Sequence, residues 1–89
     1  MKITEYCDAL NINMRVEYIA NACCGWRARI DGAEVKENKS SIVACSEFGT
    51  GNTPEEAIAD YVSLIRGKRL VINGLSANRQ EYSIPNYIE

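Results

Sequence analysis

The sequence predicts an α+β domain: a short N-terminal helix, a three-stranded antiparallel meander, one main helix packed on the sheet, and a C-terminal strand or hairpin. Three observations carry this. Apolar and polar residues alternate through Met14, Val16 and Tyr18 and again through Trp26, Ala28 and Ile30, the period of half-buried strands. Thr53-Pro54-Glu55-Glu56-Ala57 reads as a helix start. Beyond it, Ala57, Ile58, Tyr61, Val62 and Ile65 recur at three- and four-residue intervals as one apolar stripe. With 89 residues, 46% of them hydrophobic and 25% charged, residues 1–89 read as a single globular domain.

Residues 4–10 are expected to form the short helix, with Thr4 as N-cap and Tyr6, Cys7 and Leu10 on one side, stopped by Asn11 to Asn13. The first strand starts at Met14, with Arg15 and Glu17 on its polar face. Ala20-Asn21-Ala22-Cys23-Cys24-Gly25 reads as a hairpin connection in which Gly25 takes a positive φ. In the second strand Arg27, Arg29 and Asp31 oppose Trp26, Ala28 and Ile30. The apolar parity then changes, because Ala33 and Val35 are odd-numbered, so Asp31-Gly32 is expected to be a bulge or bend in one long strand. By their parity Tyr18 and Trp26 belong to the core.

A polar turn over 36–40 leads to a third strand over 41–48, whose run Ile42-Val43-Ala44-Cys45 is apolar on both parities and fits a central strand. The main helix covers 54–66. Thr53 caps it, Pro54 has the φ the first helical position needs, Glu56 completes a capping box, and Glu55 and Glu56 oppose the positive end of the dipole. Gly67 ends it as the C′ residue, with Arg66 against the negative end. A fourth strand over 68–72, a loop marked by Asn73-Gly74 and Ser76-Ala77-Asn78, a fifth short strand over 80–84 and an extended tail after Pro85 complete the order.

Ten Lys and Arg against twelve Asp and Glu give a net charge of −2, which disfavours direct nucleic-acid binding. No segment approaches the roughly 20 apolar residues of a membrane helix. The N-terminus lacks the pattern of a signal peptide, so a cytoplasmic protein without membrane contact is expected. The four cysteines, Cys7, Cys23, Cys24 and Cys45, lack chelating spacing and have no histidine to join them; free, buried or half-buried thiols without metal are expected. No histidine can serve as a general base, and no serine or cysteine sits in a nucleophile motif. Gly49-x-Gly51 precedes glutamates that would repel a pyrophosphate. The expectation is therefore no catalytic residue, no cofactor and no enzyme.

Binding residues remain. Arg27 and Arg29 share the polar face of the second strand, with Arg15 expected across from them. Arg66, Lys68 and Arg69 cluster at the helix end, and Tyr82 and Tyr87 are candidate exposed anchors. The acidic groups Glu34, Glu37, Glu47, Glu55, Glu56 and Asp60 form the opposite candidate set, able to mimic phosphates in a nuclease channel. The partner-binding candidates are thus Arg27, Arg29, Lys68, Arg69, Glu55 and Glu56, and a homodimer is compatible with them.

Three resemblances add to this. The order α-β-β-β-α, with G-x-G-x-T entering the last helix, resembles the double-stranded-RNA-binding domain over residues 4–66. That family carries lysines at this helix start, where Pro54, Glu55 and Glu56 stand here, so the resemblance implies the fold and not the RNA contacts. Gly51-Asn52-Thr53-Pro54-Glu55-Glu56-Ala57 is similar to the segment opening a helix in HicB-like antitoxins, which implies a regulatory module. The whole chain looks most like small phage and prophage proteins of Gram-positive bacteria, carried by Met1-Lys2-Ile3-Thr4-Glu5-Tyr6, by Thr53 to Tyr61, by Gly67 to Asn73, and by Arg79-Gln80-Glu81-Tyr82 with Pro85. This likeness implies an inhibitor of a host defence protein such as a CRISPR effector nuclease, an anti-CRISPR protein acting in the host cytoplasm.

Overall fold

The computed structural model of the protein describes residues 1–20, 25–74 and 77–89. Its elements are α1 (Ile3–Leu10), β1 (Met14–Tyr18), β2 (Trp26–Ile30), β3 (Ala33–Lys36), β4 (Gly49–Gly51), α2 (Pro54–Ile65), β5 (Arg69–Ile72) and β6 (Gln80–Ser83). The strands form two antiparallel three-stranded sheets, β1-β2-β4 and β3-β5-β6. The α+β class holds, and so does the order of the meander β1-β2-β4, but the single sheet expected from the sequence is two.

The division falls at Asp31-Gly32. β2 and β3 run on from one another through this corner, where Gly32 adopts φ +72°, a conformation that costs a glycine little. The buried residues change parity there, from Ala28 and Ile30 to Ala33 and Val35, so both halves face one core despite the bend. The strand opposite does not bend in step. Val35 exchanges both backbone hydrogen bonds with Cys45, and Ala28 pairs with Gly49, so the bent strand takes seven residue steps where its partner takes four. The surplus is a bulge, which turns the chain out of one sheet into the next. Because the 45–51 segment lines one edge of the bent strand, β1 and β5 share the other.

This geometry corrects the third strand. The 41–48 run is apolar on both parities, but only Cys45 bridges β3, and the paired strand is Gly49–Gly51. Ile42 and Val43 stand 95% and 69% exposed, the reverse of a central strand. Within the 41–48 run pairing is limited to that one bridge, and regular pairing begins only at Gly49.

α2 explains the glycines. A Cβ on Gly49 would overlap the Ala57 carbonyl and the Tyr61 backbone nitrogen, and one on Gly51 would overlap Glu56 Cβ and the Ala57 nitrogen. β4 therefore lies directly on the helix backbone, an approach open only to residues without side chains. Thr53 caps α2 as expected, its Oγ1 accepting from Glu56 N at 3.1 Å. Glu56 Oε2 accepts instead from Asn52 N, 3.0 Å away, one residue upstream of a standard capping box. Asp60 Oδ2 accepts from Thr50 N at 2.9 Å, so one helix carboxylate satisfies an amide of the edge strand β4 and another the amide just past its end. Ala57, Tyr61, Val62 and Ile65 are buried against the sheets, whereas Ile58 is only half-buried; Gly67, at φ +72°, follows the helix as predicted.

At the N-terminus α1 begins at Ile3, so Thr4 lies inside the helix and Glu5 Oε1 accepts from Lys2 N at 3.2 Å in the capping role. Asn11, at φ 56°, ends it. Ile3, Tyr6 and Cys7 enter the core. The tail after Pro85 is fixed, not loose: Ile84 and Ile88 are buried, and Glu89 exchanges backbone hydrogen bonds with Ile3 and Met1. Tyr18 is 64% exposed and meets the half-buried Trp26 edge to face with centroids 5.5 Å apart, so the expectation of a core Tyr18 fails at the end of its strand. Gly25 has the expected positive φ of 82°, and its carbonyl accepts from Ile19 N; the rest of that connection, with Cys23 and Cys24, lies outside the described residues. So does Ser76 in the later loop.

Candidate interaction surface

The outer face of β1-β2-β4 gathers the arginines. The register sets Arg15 opposite Arg29 and Glu17 opposite Arg27, with Thr50 of β4 on the far side of Arg27. α2 packs against the other face, through Ala28 and Ile30, so these side chains point away from the core. Arg27 stacks its guanidinium on the Phe48 ring, 4.6 Å from the centroid, which holds the charge in place, and it makes no ion pair or side-chain hydrogen bond among the described residues. Arg29 donates through Nη2 to the Ala33 carbonyl at 3.2 Å, while its Nε is shielded from solvent without a hydrogen-bond partner among the described residues. Arg15 makes only a loose ion pair with Asp31, 3.6 Å apart with both side chains largely exposed, which contributes little.

The second basic cluster has a different fate. Lys68 pairs with Glu37 at 3.2 Å, and Arg69 Nε lies 3.7 Å from Glu81 Oε1. These belong to the outer face of β3-β5-β6, where Glu81 also meets Lys36 Nζ at 2.8 Å and Arg79 Nη2 at 3.0 Å. Lys36, 5% exposed, donates further to the carbonyls of Lys39 and Ser41, so a buried ammonium has acceptors all round. The hydrogen bond from Lys36, then that from Arg79, holds the Glu81 carboxyl below the usual carboxylate range. Lys36, Arg79, Glu81 and Phe48 were not singled out by the sequence. Lys36 read as part of a polar turn, and only the pairing of β3 with β5, and of β5 with β6, brings it to Glu81.

Among the acidic candidates, Glu56 and Asp60 are engaged with the β4 amides and Glu37 with Lys68, whereas Glu55 is exposed on the rim of a groove along α2. The structure therefore brings Arg27 and Arg29 together, and separates them from Lys68 and Arg69 and from Glu55 and Glu56. Tyr87 is 70% exposed, but Tyr82 packs half-buried on the core with its hydroxyl donating to Gln80 Oε1.

The buried ionisable groups are structural. Burial, with the charge of Cys7 second, pushes Tyr6 up to about 12, and its hydroxyl donates to the Ser83 carbonyl, tying α1 to β6. Burial, then Asp8, raises Cys7 to about 11. Burial raises Tyr61 as well, against the opposing pull of a backbone hydrogen bond at Ile30 and of Arg29. Cys45, expected to be at least half-buried, is exposed. Among the described residues, no three His, Cys, Asp or Glu converge as metal ligands, and no helix is long and apolar enough to cross a membrane. The chain matches no family model, and no curated protein or solved structure is significantly similar to it.

Proposed function

We propose that the protein is a non-enzymatic, phage-derived binding protein that inhibits a bacterial defence nuclease, with an RNA-guided CRISPR effector as the target class and the host cytoplasm as its place of action. The observation that carries the binding reading is the outer face of Arg15, Arg27 and Arg29, on which Arg15 is exposed, Arg27 stacks on Phe48, and Arg29 Nε has no hydrogen-bond partner among the described residues. The phage resemblance directs that reading to a defence nuclease. Guanidinium forks on a flat sheet suit carboxylates, to which they donate two parallel bonds. Nucleases that work through metal ions carry carboxylates to hold them, so this face has a complementary target in such an enzyme. The net charge of −2 gives a free polyanion little long-range attraction.

The meander β1-β2-β4 with α2 on its inner face also supports a second reading, a nucleic-acid-binding or HicB-like regulatory module. Glu55 and Glu56 at the helix start weigh against it. One experiment separates the two: an Arg27→Glu/Arg29→Glu variant is compared with the parent protein in CRISPR-effector cleavage assays and in duplex DNA and RNA binding. The inhibitor reading expects inhibition by the parent and its loss in the variant. Salt-sensitive binding to a duplex without any effect on a nuclease would overturn it.

A further inference from the structure

We propose that the groove between α2 and Glu89 is a docking site for one lysine or arginine side chain carried on an apolar segment of a protein partner. The groove encloses about 290 Å³ and is lined by Glu55, Ile58, Ala59, Val62, Arg66 and Glu89. This is the low end of the range for small-molecule pockets and suits a single long side chain. Its floor is apolar. Ile58 is the one member of the α2 stripe that the core does not fully bury, and it lies beside the buried Val62.

The rim is acidic in effect. Arg66 brings one positive charge, its Nε donating to the neutral Ile88 carbonyl at 2.8 Å, against the two carboxylates of Glu55 and Glu89. The side chains of Glu55 and Glu89 are exposed and take no ion-pair partner among the described residues. Lys and Arg are the side chains that match both parts, because their methylene stems cover apolar surface while the charged head stays at a polar rim. An acidic side chain would meet two like charges, Glu55 and Glu89, against the one opposite charge of Arg66, and a purely apolar one would cover the carboxylates without a counter-charge. The walls are fixed in advance, since Ile84 and Ile88 anchor the tail in the core and Glu89 is hydrogen-bonded to Met1. The site is independent of the arginine face and takes a ligand of opposite charge.

The test uses hexylammonium, hexanol and hexanoate, titrated into the intact protein while the methyl resonances of Ile58 and Val62 are followed by NMR. Hexylammonium is expected to shift both, with hexanol weaker and hexanoate without effect. Glu55→Gln, a surface change that leaves the rest of the spectrum in place, is expected to weaken hexylammonium binding about two- to fivefold, the scale of one exposed ion pair. Shifts of equal size from all three probes, no shift from hexylammonium, or unchanged affinity in Glu55→Gln would each overturn the proposal.

Discussion

The outer faces of the two sheets hold similar side chains in opposite states. On β3-β5-β6, Lys36, Arg69 and Arg79 share the one carboxylate of Glu81, so each cation has an ionic partner although the cluster keeps an excess of positive charge. On β1-β2-β4, Arg15, Arg27 and Arg29 meet an aromatic ring, a carbonyl and one loose carboxylate contact. The difference comes from what each fold region sets nearby. β6 delivers Glu81 within ion-pair distance of three cations, whereas on the second face Glu17, opposite Arg27, makes no ion pair among the described residues. A basic residue is a binding candidate only where the fold leaves its charge unspent, and this divides Arg27 and Arg29 from Lys68 and Arg69.

The contrast presupposes that the two inner faces share one core, and the largest effects test that. Ile30, beneath the arginine face, and Leu70, beneath the ion-paired one, are both fully buried. Ile30→Ala and Leu70→Ala are each expected to cost about 2–5 kcal/mol in urea denaturation, with one cooperative transition retained. Two separate transitions in either variant would make the sheets independent. Next in size is Gly49→Ala, which forces β4 off the α2 backbone at an expected cost of about 1–3 kcal/mol, as for other overpacked sites. A neutral result would show that β4 does not lie against the helix.

The charge contrast itself predicts a difference in acid. The Glu81 carboxyl titrates lower in the folded chain than its ordinary value of 4.5. Its stabilisation is therefore present above that value and is lost as pH falls through the depressed one. Glu81→Gln should flatten the acid limb of the stability profile, read from thermal melts at stepped pH, while Arg15→Gln should leave both the profile and the stability within about 0.5 kcal/mol. Equal responses from the two variants would erase the distinction between the faces. The smallest effect is kinetic. Cys45, at the bridge to β3, should react with iodoacetamide well before the buried Cys7, whose thiol is raised to about 11. Simultaneous labelling would place the loop and α1 in the wrong environments.

What the sequence made legible is local. Thr53, Pro54 and the apolar stripe define α2 without reference to any other segment, and the parity change between Ile30 and Ala33 marks the bend. What it hid depends on distant partners. The 41–48 run has the composition of a strand, yet pairing depends on a bulge ten or more residues upstream and on how closely a helix approaches two glycines. Tyr18 shows the same limit, since alternation places it on the inner face, yet at that end of β1 it stands 64% exposed with Trp26 edge-on beside it. The tail could have been suspected from Ile84 and Ile88, two large apolar residues in a polar stretch. Of the candidate surface, the shared face of Arg27 and Arg29 follows from period two alone; Phe48 beneath Arg27, and Glu81 among Lys36, Arg69 and Arg79, do not.

Asp60 and Glu56, by accepting from the amides of Thr50 and Asn52, also decide how this protein can meet other chains. An open strand edge is a template on which a foreign strand can grow, whether in a specific complex or in aggregation. With the amide of its central residue Thr50, and that of Asn52 just beyond it, already donating to carboxylates, β4 offers no such template, and the helix that supplies them packs against it. Strand addition is left to the far edges of β1 and β6.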